Sequence, residues 1–463
     1  MTDQAHHPVP APRGVPEIPA RVLVYGVGKS GQAAARLLLA RGRTVVFYDD
    51  QASALPPGPW SAAQLHTGRL PDSVLSSVDL AVLSPGVHPD TPAFQAIERA
   101  GLPYISEIEL ASRMTSKPLV GVTGTNGKST TVALVDAVLR AAGMKSLCVG
   151  NFGYPFSLAV LERPEVDWYV VEVSSYQLAT IDRFCVRAGI VTNLAANHHQ
   201  WHGTQENYFA AKLRLFNNVG PDGVAVYPAG CEYLRTHLAS HAARKVSFSW
   251  GGEPGDVHYD AASETVVWRA TGQVLAELGR LSGQLPFDYH AVLWNLLAAV
   301  AAGKGLGLPD STYSQAVQVF QPLEHRMEPV GVVDGVRWVN DSKSTNVEST
   351  RYAIENSHSK LVLMLGGRDK GLDFAQLAEG RKDHIKAVVA LGECRDKIRA
   401  QLEGMLRVHL AQSFEEAVGL ARRLATSGDT VLFSPACASF DMFRDFEDRG
   451  RVFKKLVRQL AER

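Results

Sequence analysis

Short apolar runs alternate with amphipathic stretches along most of this chain. Arg21–Tyr25 (RVLVY) reads as a buried strand; a glycine turn follows, then a helical run from Gln32 to Ala40 that Gly42 stops. A second strand, Thr44–Tyr48, ends in Asp49 and Asp50. A third, Leu80–Leu83, is closed by Ser84, Pro85 and Gly86. A second block opens at Pro118. Strand Leu119–Val122 enters another glycine loop and a helix, Trp168–Val173 and Gly189–Thr192 are strands of the fully buried type, and Ala298–Ala302 lies in a helix. A third block starts near Phe320, with strands at Val336–Val339, Leu361–Leu365, Ala387–Leu391 and Thr430–Phe433. Strand–helix alternation of this kind predicts an α/β fold with parallel sheets. Three such blocks predict three domains, at 21–110, 111–317 and 318–463, after a flexible tail over 1–20.

The length of 463 residues agrees with more than one domain. Lys plus Arg (47) balance Asp plus Glu (47), so no global basic field points to nucleic acid or to an acidic membrane surface. The tail carries His6, His7 and several prolines without the apolar stretch of a signal peptide, and no apolar run reaches the length of a membrane span. Five cysteines (Cys148, Cys185, Cys231, Cys394, Cys437) form no CxxC pair and read as idle thiols of a reducing cytoplasm.

Two loops have the form that cradles phosphate. Gly26-Val-Gly28-Lys-Ser30-Gly31 lies between a strand and a helix, and Asp49 follows at the end of the next strand, where a ribose-binding acid belongs. Alone, this motif fits a nicotinamide-dependent dehydrogenase or merely a tight turn. The second loop, Gly124-Thr125-Asn126-Gly127-Lys128-Ser129-Thr130, ends in the GK[ST] of a P-loop, although Val122 stands where the full motif has glycine. Its backbone amides would wrap phosphates, Lys128 would reach the β and γ oxygens, and Ser129 or Thr130 would ligate Mg2+. Glu172 ends a strand in the position of a magnesium-holding acid. Asn193–His202 (NLAANHHQWH) is dense enough in histidine to suggest ligation, with a polar loop as the alternative. Lys212 reads as an ordinary helical lysine.

Taken in order, VTGTNGKSTT (122–131), GNFG (150–153), EVSSYQL (172–178), the His198 loop, AAKLRLF (210–216), LEHRMEPV (323–330), NDSKSTN (340–346), LGGRDKG (365–371) and SPACASFDMFRDFEDRG (434–450) resemble the Mur ligase family. The resemblance spans nearly the whole chain after residue 20, and the C-terminal stretch, with SPG at 84–86 and SEIEL at 106–110, is similar to its glutamate-adding branch. It implies three domains: a Rossmann-like one for a UDP-sugar, a P-loop ATPase and a Rossmann-like one for the amino acid. It implies an ATP-dependent ligase of the cytoplasm, a monomer, that uses two Mg2+ ions. Its small-molecule substrates would be UDP-N-acetylmuramoyl-L-alanine and D-glutamate.

The resemblance also implies roles. Gly26, Gly28, Ser30, Gly31, Asp49, Ser84, Pro85, Gly86 and Asn151 would meet the UDP-sugar substrate. Arg326 and Asp341 would join the P-loop in handling ATP. Lys343, Thr345, Lys370, Ser439 and Phe446 would line the amino-acid pocket. Lys212 becomes a lysine carbamylated by CO2. Ser129, Glu172, His198 and that carbamate would serve the metals, and Lys128, Glu172, His198 and Lys212 the catalysis. The chain departs from the family at Asn197, where an aspartate precedes the histidine, at Gln200, where a second aspartate stands, and at Pro322 in place of a glycine. In FDYHAVLWNLLAA, Asn295 keeps its place while His290 falls one residue out of register. Rival readings are a folylpolyglutamate-synthase-like ligase, a nucleotide switch without chemistry, and the dehydrogenase.

Overall fold

The computed structural model describes residues 17–52, 54–60, 63–195, 199–250, 253–281, 289–355, 357, 359–369, 371–379 and 382–462, without the side chains of 199, 200 and 289–291. The chain forms two compact units. One is built from residues up to Leu281 and from Trp294 to Val319; the other from Phe320 onwards, with the stretch ending at Leu293.

The first unit holds two sheets. Strands β1 (Arg21–Tyr25), β2 (Thr44–Tyr48), β3 (Leu65–His66), β4 (Leu80–Leu83) and β5 (Tyr104–Ser106) pair in parallel in the order β3-β2-β1-β4-β5. The order reverses beside β1, which opens a crevice at the carboxyl ends of β1 and β4, where an α/β sheet takes its ligands. The second sheet contains β6 (Leu119–Thr123), β7 (Ser146–Gly150), β8 (Trp168–Glu172), β9 (Ala188–Val191), β10 (Val224–Pro228), β11 (Arg244–Trp250), β12 (Val257–Asp260), β13 (Thr265–Trp268) and β14 (Gln273–Glu277). Its order is β14-β13-β12-β11-β10-β9-β6-β8-β7, parallel from β7 to β12 and closed by an antiparallel meander. Every residue of β6 is buried, as a strand covered by helices on both faces requires. Leu37, Ile108 and Ala111 from the first sheet's helices join Phe156, Tyr169 and Phe184 in one core, so the two sheets are packed together.

The second unit carries one sheet: β15 (Glu328–Val333), β16 (Val336–Asn340), β17 (Leu361–Gly366), β18 (Ile385–Leu391), β19 (Val408–Leu410) and β20 (Thr430–Phe433), in the order β15-β16-β20-β17-β18-β19. Only β15 runs antiparallel.

The predicted strands are all present to within a residue or two. The first helix starts at Lys29, before the expected Gln32, because Gly28 takes the N-cap position and its carbonyl accepts the Gln32 N–H at 2.9 Å. The meander β12–β14 and strand β15, which pairs with the expected β16, are among the additions. Their short alternating runs, such as Val257–Asp260, are half-exposed and carry little apolar signal. Among the described residues, no helix is long and apolar enough to cross a membrane.

Candidate active site

Strand β6 delivers the chain to Gly124, whose φ of +144° only glycine adopts readily, and where a Cβ would lie 1.9 Å from Thr192 Oγ1. Gly127, at φ +79°, caps the helix Lys128–Ala141, and a Cβ there would meet Asn295 Oδ1 at 2.2 Å. Polar groups at the end of β9 hold the loop between these glycines. Asn193 Oδ1 accepts from the Asn126 N–H at 2.9 Å, Asn193 Nδ2 donates back to the Asn126 carbonyl at 3.0 Å, and Thr192 Oγ1 donates to the same carbonyl at 2.6 Å. The Thr125 N–H donates to the Asn193 carbonyl at 3.1 Å, and the Tyr208 hydroxyl to Thr125 Oγ1 at 3.3 Å. Asn295 Oδ1 accepts from Thr131 Oγ1 at 3.1 Å and so fixes the helix start. The result is an anion-binding turn at a helix N-terminus.

Beneath the loop lies a chain of three polar side chains. Ser129 Oγ donates to Glu172 Oε2 at 2.5 Å, and Asn151 Nδ2 donates to Glu172 Oε1 at 2.8 Å. Ser129 and Glu172 are both buried and hydrogen-bonded to each other, while Thr130 is half-buried. Ser129 is therefore the hydroxyl suited to a metal. A hydroxyl and a carboxylate at the loop's foot fit Mg2+, a hard cation that takes one or two protein oxygens and completes its shell with phosphate and water. Among the described residues, no group of three or more His, Cys, Asp or Glu side chains could hold a metal by itself. His198 and Asn197 lie outside the described residues, as do the side chains of Gln200 and His290.

Two lysines reach the same carbonyl. Lys128 Nζ donates to Gly124 O at 3.0 Å and to Thr125 O at 2.8 Å; Lys212 Nζ donates to Gly124 O at 2.8 Å. Lys212 is 2 % exposed, with its amine 4.6 Å over the Tyr208 ring. Burial pushes its pKa well below the usual lysine range; Lys128 adds to the effect and Glu172 opposes it. Composition hid this, since Lys212 occupies an unremarkable place in its helix.

In the first sheet, Gly26 (φ +101°) turns the chain against Ser84, and a Cβ on Gly31 would lie 1.8 Å from the Gly26 carbonyl oxygen. Ser84 Oγ is buried without a hydrogen-bond partner among the described residues, beside this loop. Ser30 is half-buried in the first helical turn, Pro85 is half-buried and Gly86 is exposed. Asp49 works for the loop itself: Oδ2 accepts from the Val27 N–H at 2.9 Å, and Oδ1 from the N–H groups of Gln51 and Ala52 at 2.9 and 3.0 Å. Burial raises its pKa, but the three donors outweigh it and hold the carboxyl below the usual range. Ser84, Pro85 and Val87 face Tyr176, Gln177 and Trp201 across a cleft of this same unit. His202, stacked on Tyr176, reaches Ser175 Oγ at 2.9 Å.

The second unit has its own cluster. Asp341, buried at the end of β16, accepts from Ser344 Oγ at 2.6 Å, Ser434 Oγ at 2.7 Å and the Met327 N–H at 3.2 Å. Burial nevertheless raises its pKa, against those hydrogen bonds and the nearby Arg326. Arg326 Nε is buried without a hydrogen-bond partner among the described residues. Lys343 Nζ lies 5.7 Å over the Phe446 ring, Thr345 is half-buried and Ser439 is buried. Lys370 falls outside the described residues. Arg449 was missed in the sequence. It is 1 % exposed, donating to Ser342 Oγ (3.0 Å), Ser342 O (2.8 Å) and Cys437 O (3.0 Å), with its pKa pushed down to about 10 by burial.

A nucleotide-type P-loop on one sheet and a Rossmann-like glycine turn on its neighbour, with a further α/β unit behind them in the chain, define a three-domain P-loop protein of α/β class. The family models agree in that order: the Mur ligase MurD-like N-terminal domain matches residues 20–106, the Mur ligase middle domain 122–303, and the Mur ligase glutamate ligase domain 325–437. The chain belongs to the Mur ligase family. A relative in Pelotomaculum thermopropionicum is 39% identical over 455 residues, covering 96% of this chain and 98% of its own. One in Nitrosococcus oceani is 36% identical over 455 residues, with the same coverage. Both are named UDP-N-acetylmuramoylalanine–D-glutamate ligase. The fold matches that of the ligase MurF from Thermotoga maritima in complex with ADP (TM-score 0.60, 15% identity, 90% of this chain and 96% of that one). It also matches UDP-N-acetylmuramate-alanine ligase MurC from the same organism (TM-score 0.58, 17% identity, 95% and 99%). The dehydrogenase reading of the first glycine loop ends with this family.

Proposed function

We propose that this chain is an ATP-dependent carboxylate–amine ligase that adds D-glutamate to UDP-N-acetylmuramoyl-L-alanine through an acyl-phosphate, a cytoplasmic step of peptidoglycan synthesis carried out by a monomer. The observation that carries the chemistry is the Ser129–Glu172–Asn151 chain beneath a loop whose first carbonyl receives both Lys128 and Lys212. The choice of substrates is supported by the name shared by relatives matched over nearly their full length.

A free carboxylate resists attack by an amine. Its oxygen therefore attacks the γ-phosphorus of ATP, the bond to ADP breaks, and the amine of glutamate then attacks the acyl carbon and expels phosphate. The first step brings anions together. Lys128 and the loop N–H groups offset that charge from fixed positions, where no reorganisation is needed. Mg2+, held at Ser129 and Glu172, and a second ion at His198 and a modified Lys212, would further neutralise the phosphates and carboxylate. The low pKa of Lys212 supports the modification. A neutral amine adds CO2 and releases a proton, turning a would-be cation into an anionic oxygen donor.

In this reading residues 21–110 bind the UDP-sugar, 111–317 ATP, and 318–463 the amino acid. Gly26, Gly28, Ser30, Gly31, Asp49 and Ser84–Gly86 hold the UDP-sugar substrate, with Asp49 also keeping their loop in shape, and Asn151 meets substrate while steadying Glu172. Arg326 and Asp341 serve the nucleotide. Lys343, Thr345, Lys370, Ser439 and Phe446 receive glutamate. The test is phosphate release from ATP with Mg2+. It should require UDP-N-acetylmuramoyl-L-alanine and D-glutamate together; release that ignores either substrate would reduce the protein to an ATPase or a nucleotide switch.

A further inference from the structure

Cys394 and Cys437 lie forty-three residues apart in sequence, yet their sulfurs are 3.1 Å apart in the buried core of the second unit. Both are free thiols. The backbone around them is fixed from both sides of the end of β17. The Cys394 N–H donates to the Gly367 carbonyl at 3.1 Å. On the other side, the Gly366 N–H donates to Pro435 O at 3.0 Å and the Arg368 N–H to Ala438 O at 2.9 Å, which brackets Cys437. A further tie runs from the Glu393 N–H to Asp441 Oδ2 at 3.1 Å. Gly367, at φ +145°, has no room for a side chain, since a Cβ would lie 2.2 Å from Ala438 O and 2.9 Å from Cys437 Cβ. Two thiols held this close by a rigid frame lose little freedom on being joined.

We propose that Cys394 and Cys437 form a reversible dithiol–disulfide site that a peroxide oxidises. The Cys394 thiolate attacks one peroxide oxygen, the O–O bond breaks, and hydroxide leaves and is protonated to water, giving a sulfenic acid. The Cys437 sulfur then attacks the Cys394 sulfur, the S–O bond breaks, and a second water leaves as the disulfide forms. Two thiols are oxidised and one peroxide is reduced, and an external dithiol reverses the bond by exchange. The order follows from the surroundings. Cys394 occupies the N-cap of the helix Arg395–Leu402, where helix N–H groups favour a thiolate, whereas Cys437 lies on a loop.

Closing the sulfurs to the roughly 2.05 Å of a disulfide pulls on the segment 435–439. The Cys437 carbonyl accepts from Arg449, and Arg449 grips Ser342 beside Lys343. Oxidation therefore disturbs the pocket assigned above to glutamate, a consequence that rests on the proposed function; the disulfide itself does not.

The experiment treats the reduced full-length protein with hydrogen peroxide, alkylates it under denaturing conditions and maps the peptides by mass spectrometry. The expected result is loss of two of the five alkylatable thiols, a cross-linked peptide joining Cys394 to Cys437, and full reversal by dithiothreitol. A Cys394→Ser variant, shown to be folded by circular dichroism, should lack the cross-link; if it does not fold, Cys437→Ala serves the same purpose. The proposal is overturned if both cysteines stay alkylatable at doses that already oxidise the exposed Cys185, or if the cross-links join other cysteines. In a parallel assay, oxidation should raise the KM for D-glutamate severalfold and leave that for ATP unchanged. A mapped disulfide without this change would overturn the coupling to the pocket while the redox site stands.

Discussion

Lys128 and Lys212 donate to one backbone oxygen, that of Gly124, at 3.0 and 2.8 Å. Burial, with the neighbouring Lys128 adding to it and Glu172 opposing, lowers the pKa of Lys212 well below the usual lysine range. In the unfolded chain the same amine is protonated at neutral pH. The unfolded state then binds more protons than the native one, so this residue makes stability rise with pH from its lowered native pKa up to the ordinary lysine range. Lys212→Met removes that cost while Lys128 still satisfies the Gly124 carbonyl. The variant should melt at a higher temperature than the parent at pH 7, with a shallower pH dependence, and should be inactive. Thermal melts between pH 6 and 9 check it; a lower melting temperature at neutral pH would show that the buried lysine is charged.

Carbamylation makes a separate demand on the same residue. Lys212→Ala should be inactive, and short carboxylic acids should restore part of the activity by occupying the space of the missing oxygen donor. Full activity in the alanine variant would end the carbamate assignment.

Lys128→Ala should lower kcat by about a hundredfold or more, because one fixed charge facing the transferring phosphoryl group is lost. Far-UV circular dichroism should be unchanged, since Asn193, Thr192 and Asn295 hold the loop without this side chain. Near-normal turnover in a folded variant would remove the P-loop from the mechanism.

Asn151 reaches the proposed metal site through Glu172, to which its amide donates at 2.8 Å. A hydrogen bond that orients a metal-holding carboxylate in this way is worth about 10–100-fold in metal affinity. Asn151→Ala should therefore raise the Mg2+ concentration needed for half-maximal activity by about that factor. A magnesium titration that overlays the parent's would show that Glu172 keeps its orientation without Asn151.

The glycine turn of the first sheet admits a sharper test. A methyl group at position 31 would overlap the Gly26 carbonyl oxygen, so Gly31→Ala should open the loop. The KM for the UDP-sugar substrate should rise steeply while that for ATP holds. Equal effects on both would mean that the change had spread beyond the first sheet.

Much of this was readable in the sequence because it rests on local rules. Buried parallel strands are continuous apolar runs, and Val22–Tyr25 or Leu361–Leu365 can hardly be read otherwise. Gly124 and Gly127 were legible from the P-loop-like motif ending in GK[ST], and each stands where a side chain would collide with a neighbour. What escaped depends on distant partners. Asp49 sits at the spacing of a ribose acid, and only the fold shows that it also accepts from the Val27 N–H, twenty-two residues away. Arg449 is a common residue in an amphipathic helix, and only the fold buries its guanidinium among Ser342 and the Cys437 carbonyl. The low proton affinity of Lys212 is likewise a property of its surroundings, invisible in AAKLRLF. Thr192 and Asn193, which hold the P-loop, carried a signal that was available, since polar residues at the carboxyl end of a central strand face the ligand edge of such a sheet.

The central claim is the reaction itself. The direct measurement supplies ATP, Mg2+ and saturating UDP-N-acetylmuramoyl-L-alanine, offers D-glutamate, L-glutamate, L-alanine and meso-diaminopimelate in separate reactions, and reads product mass. A product carrying one added glutamate from the D-glutamate reaction, well above the other three, is the result expected. A clear preference for any other amino acid, or no amide product with D-glutamate, would contradict the assignment.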